Sequence, residues 1–123
     1  MFRRLKLAKI GGMIEENLKR FSPPHISKEI IREYGMYAPK GEIALGRSLN
    51  YFENTNRWPV SGEEILCIAL SEHVKTANEH RDQAIQKVFV DMLLWARSHS
   101  IENLPPKALE KVDSVLATFY RDS

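Results

Sequence analysis

The stretch Ala84–Ala96, AIQKVFVDMLLWA, leaves this chain few ways to fold. Coiled as a helix it is apolar almost all the way round, interrupted only by Gln86, Lys87 and Asp91. Residues four apart share a helical face, so Lys87 and Asp91 lie on one narrow polar stripe with Gln83 and His80. A helix with so little polar surface must be covered on most sides. The expectation is a largely buried helix around residues 79–99, either the centre of a bundle or part of a subunit interface. Its apolar run falls well short of the ~20 residues that span a bilayer.

The rest of the chain supplies helices to cover it. Phe2, Leu5, Ile10, Met13, Ile14, Leu18 and Phe21 follow a spacing of three and four, which predicts a helix over 2–20. Gly11-Gly12 weakens that helix, and Arg3 and Arg4 oppose its dipole, so residues 1–12 form either its first turns or a mobile basic arm. Ser27 caps a second short helix that Gly35 ends; MYAP connects it to a third over Glu42–Glu53. Ser61 and Glu64 form a capping box ahead of ILCIAL, and Thr76 with Glu79 offers a second box, so 62–99 reads as two helices meeting near 76–79. Asn103 and Pro105 open a last helix with the stripe Leu109, Val112, Leu116 and Phe119. The fold class is all-α: a single-domain bundle of five or six helices over residues 1–123.

Charge is distributed unevenly. Residues 1–21 hold six Lys/Arg against two Glu, whereas 61–123 hold seven against ten acidic residues. The basic end is therefore expected to lie against the acidic half of its own fold or of a second copy, or to meet an acidic partner, a nucleic acid or an anionic membrane surface. The lone Cys67 lies in an apolar run, has no intrachain partner and fits a core position in a reducing compartment. Lys6 and Lys9 interrupt what would be the apolar part of a signal peptide, so the expected location is cytoplasmic.

The segment SEHVKTANEHRDQ, residues 71–83, is the densest in titratable groups. His73 and His80 stand seven apart, two helical turns or ~10.5 Å along the axis, too far to grip one zinc. Glu79-x-x-Asp82 has the spacing of a magnesium-binding pair. In that tetrapeptide the chain resembles the MazG-type all-α nucleotide pyrophosphatases, in which an E-x-x-E pair precedes E-x-x-D. The resemblance implies a Mg-dependent nucleotide hydrolase with Glu79 and Asp82 as metal ligands. The first pair has no counterpart: Val60 precedes Glu63 by three, and Ser61 precedes Glu64.

A second reading takes residues 27–50 as helix, glycine turn, helix, the pattern of a helix-turn-helix DNA-binding protein. Lys40, Arg47, Asn50 and Arg57 are then the candidates for phosphate or base-edge contacts. A plain αα-hairpin accounts for the same residues. The third reading, preferred here, is a non-enzymatic interaction or regulatory protein acting through helix-mediated self-association or partner binding. Aromatic and Met side chains favour interface centres, which singles out Phe89, Met92, Leu93, Trp95, Phe119 and Tyr120. No motif calls for a cofactor, and the partner is a second copy, another protein or a nucleic acid.

Overall fold

Each stretch with helical spacing folds as a helix. The computed structural model describes the backbone of residues 2–21, 28–59, 61–99 and 104–122, and the side chains of 4–17, 41–59, 61–99 and 104–119. Among these there are five helices and no strand: α1 Phe2–Phe21, α2 Lys28–Asn54, α3 Gly62–Glu79, α4 Gln83–His99 and α5 Pro106–Asp122. No helix among the described residues is long and apolar enough to cross a membrane.

The centre of the bundle is α3. Thirteen of its eighteen residues are buried, and it packs against all four other helices. The α4 helix buries one face, through Phe89, Val90, Met92, Leu93 and Ala96, while Gln83, Ala84, Lys87 and Asp91 are exposed. Its expected place at the centre thus belongs to its neighbour, because the polar stripe of α4 is wide enough to meet water and Ile85, Val88, Leu94 and Trp95 tolerate half-burial. The core is completed by Ile10 and Ile14 of α1, Leu49 and Phe52 of α2, and Ala108, Val112, Val115 and Leu116 of α5. Residues 2–12 are the first turns of α1, which runs unbroken through Gly11-Gly12.

The α2 helix corrects the reading of residues 27–50. It continues from Lys28 to Asn54 through Gly35, Pro39 and Gly41, so no turn separates two helices there. Pro39 removes one backbone donor, yet twenty-seven residues of helix carry past it. Gly41, Ala44 and Ser48 are all buried; these small residues share a face and serve close packing where a break was expected.

The start of α3 follows the sequence closely. The Ser61 hydroxyl accepts the Glu64 N–H at 3.2 Å, which satisfies one of the free donors of the first turn. A Cβ on Gly62 would run into the amide of the buried Asn17, so a larger residue there would require that side chain to move.

The α2 and α3 helices end in the same way. After α2, the N–H of Asn56 donates to the carbonyl of Glu53 and that of Arg57 to Phe52; after α3, Arg81 donates to Asn78 and Asp82 to Ala77. This is the Schellman pattern, which favours glycine at its left-handed residue. Here Asn56 and Arg81 occupy it, each at φ 57°. The Asp82 carboxylate then caps α4 by accepting the Ile85 N–H at 3.2 Å. Two helices do replace one rod, with the junction at 80–82, beyond the expected 76–79; Thr76 is buried inside α3, its hydroxyl donating to the Glu72 carbonyl at 2.8 Å.

Two tests follow from this core. Arg81→Gly is expected to raise unfolding stability by up to about 1 kcal/mol, since a β-carbon is disfavoured in the left-handed region; a loss of stability in a urea titration would contradict the assignment. His73 is buried and stacked on Phe89 with ring centroids 5.0 Å apart. Burial pushes its pKa from 6.5 down to about 4. A depressed pKa means that the neutral imidazole's contribution is complete above the unfolded value and is lost as pH falls. Between pH 6.5 and 4 stability is expected to drop by up to about 3 kcal/mol on this account, and His73→Phe should flatten that part of the profile. An unchanged slope in the variant would exclude His73 as its source.

Candidate binding groove

The polar stripe of α4 does more than meet solvent. Gln83, Lys87 and Asp91 form one wall of a groove of about 680 Å³ between α3, α4 and α5. Its floor is apolar: Val74 from α3, Val90 from α4, Val115 and Phe119 from α5. Lys75, Asn78, Ser114 and Thr118 complete the rim. Val74, Val90 and Val115 are nearly inaccessible to solvent and Phe119 is half-buried. The Gln86 amide reaches across the α3–α4 side to the Val74 carbonyl at a long 3.5 Å. The volume falls within the ~300–1,000 Å³ common for ligand sites.

The charges beside the groove are unequally matched. The Glu72 carboxylate is buried and held closely by Lys111 of α5, while Lys75 lies 3.9 Å from the same oxygen. Burial, with the neighbouring Lys111 and Arg47 charges, holds the Lys75 amine below its usual range despite Glu72. Among the described residues the exposed Lys87 forms no ion pair, and Asp91 is the only carboxylate that lines the groove.

Of the six expected interface residues, Phe89, Met92 and Leu93 are covered by the chain's own helices, at 1%, 2% and 0% exposure. They build the α3–α4 core and offer no surface to a partner. Trp95 is half-buried away from the groove and stacks on His99 at 4.2 Å. Phe119 lines the groove, and Tyr120 lies outside the described side chains. Sequence patterning misses Val74, Val115 and Thr118, because the groove exists only where three helices meet; the Gln83/Lys87/Asp91 stripe and Phe119 are the signals that point to it.

The other candidates are placed as follows. Arg47 donates from Nη1 to Glu79 Oε1 at 2.9 Å, joining a nucleic-acid candidate to a metal candidate. That bond holds the Glu79 carboxyl below its usual range. Arg57 grips both oxygens of the fully buried Glu64 carboxylate, at 2.6 and 2.7 Å. Asn50 is exposed, and Lys40 lies outside the described side chains. Glu79 ends α3 while Asp82 caps α4, with left-handed Arg81 between them, so the pair does not share one helical face as its spacing suggests. Among the described residues no cluster of three or more His, Cys, Asp or Glu forms a metal-holding group. Cys67 is fully buried, and burial raises its thiol to about 12, which leaves it protonated and unreactive.

The two arginine pairs are expected to differ sharply. Removing Arg57, itself 37% exposed, strands the fully buried Glu64 carboxylate, so Arg57→Ala should cost about 3 kcal/mol and Arg57→Ala with Glu64→Gln should recover part of it. The Arg47–Glu79 pair is exposed on both sides, and Arg47→Ala should cost less than about 1 kcal/mol. Chemical denaturation of the variants measures both, and equal losses would contradict the assignment. In comparisons with known proteins, no family model, curated protein or solved structure matches this chain.

Proposed function

We propose that this chain is a non-enzymatic interaction protein whose α3–α4–α5 groove receives the apolar face of a helix from a binding partner. The observation that carries the reading is the groove's construction: an apolar lining in which the half-buried Phe119 is open to contact and the nearly inaccessible Val74, Val90 and Val115 back it, beneath a polar rim. Helix-in-groove recognition works through such a surface, with the apolar stripe giving affinity and the rim giving orientation. A lone, protonated Cys67 is consistent with work in a reducing compartment.

The nucleic-acid alternative would need Arg47 and Arg57 to leave Glu79 and Glu64, and leaving the buried Glu64 is costly. A titration with random duplex at low and high salt separates the readings, since phosphate binding is steeply salt-dependent.

The groove is tested with a Leu-striped amphipathic peptide flanked by glutamine. Amide shifts in the NMR spectrum are expected to concentrate around Val74, Val90, Val115 and Phe119. Thr118→Trp fills the groove from an exposed position and should weaken the peptide at least about tenfold while leaving the circular dichroism unchanged. Shifts elsewhere, or none, would overturn the proposal.

A further inference from the structure

The groove's rim says something about the partner that its floor does not. Among the described side chains two lysines, Lys75 and Lys87, stand along it against one carboxylate, Asp91. Lys75 is not fully balanced by Glu72, because Lys111 already holds that oxygen closely and Lys75 stays 3.9 Å away. Its side chain is 46% exposed, so the ammonium stands at the edge of the apolar floor and is open to a ligand. Lys87 stands across from it on α4, with no ion pair among the described residues.

A second copy of the chain is poorly suited to this rim. Among the described side chains the most exposed large apolar one is Leu5, at 63%, and that residue is flanked on α1 by exposed Arg4, Lys6 and Lys9. Docking that face would bring cations to cations. A helix with acidic residues beside its apolar stripe would do the reverse.

Building on the groove reading, we infer that the occupant is an acidic amphipathic helix of another protein, its apolar stripe in the groove against Phe119 and its carboxylates on Lys75 and Lys87. Carboxylates arriving there offset the cationic crowding of Lys75, Lys111 and Arg47 that keeps the Lys75 amine below its ordinary range after burial has done so. The rim pairs are solvent-exposed and act as selectors of charge, while affinity comes from the floor.

The test uses peptides with one common leucine stripe and flanks of glutamate, glutamine or lysine, titrated by fluorescence anisotropy into the full chain. The glutamate peptide is expected to bind about tenfold more tightly than the lysine peptide at low salt, the sum of two surface ion pairs. The gap should close at high salt and in the Lys75→Gln, Lys87→Gln double variant, whose fold is checked by circular dichroism. Equal affinities for all peptides would overturn the acidic partner and leave the groove reading standing. No binding by any of them would overturn both. A dimer in light scattering that Thr118→Trp converts to monomer would assign the groove to a second copy and overturn the inference.

Discussion

The structure depends on the encasement of α3. Burial of apolar surface drives helices together without dictating their register, and a helix of leucines alone would leave its neighbours free to slide. This one carries Glu64, Ser71, Glu72, His73 and Thr76 into the core, and each polar group needs a partner there. Ser71 and Thr76 turn back on their own helix, donating to Cys67 and Glu72 carbonyls at 2.8 Å. The two carboxylates instead reach outward. Glu64 fixes Arg57 in the α2–α3 connection, and Glu72 fixes Lys111 on α5. One helix thereby sets the position of two neighbours by directional bonds and of all four by packing.

That arrangement also explains the groove. The α5 helix is held to α3 through Lys111 and the apolar run Ala108, Val112, Val115 and Leu116, and it leans on α3 more than on α4. Where α4 turns its polar stripe toward α5, the two do not close, and the gap leaves Phe119 half-buried. The opening is a consequence of three helices sharing one hub. Its rim charge follows too: Glu72 is consumed by Lys111, which leaves Lys75 in excess.

Much of the fold is legible in the sequence because it rests on local signals. Ser61 caps α3 as its position implies, and the stripe of Val112 and Leu116 is buried as its spacing implies. What escapes is decided by tertiary context. The sequence marks α3 as amphipathic because of Glu64, Glu72 and His73, and nothing local reveals that their partners lie elsewhere in the chain. Gly35, Pro39 and Gly41 look like a turn, yet Gly41 with Ala44 and Ser48 forms a small-residue face inside one helix. The end of α3 is hidden because Arg81 takes the left-handed position where a glycine would have announced it. Of the site, the Gln83/Lys87/Asp91 stripe and Phe119 are readable, and the rest is not, since the lining is assembled from three helices far apart in sequence.

The central claim, that α3 is the hub on which the other helices are laid, is tested most directly by native-state hydrogen exchange resolved by residue. Amides from Ile65 to Ala77 should exchange last of all, at the rate set by global unfolding. Those of α4 and α5 should open earlier, through partial unfolding that leaves α3 protected. If α4 outlasted α3, the bundle would be organised around a different helix and the account of its polar core would be wrong.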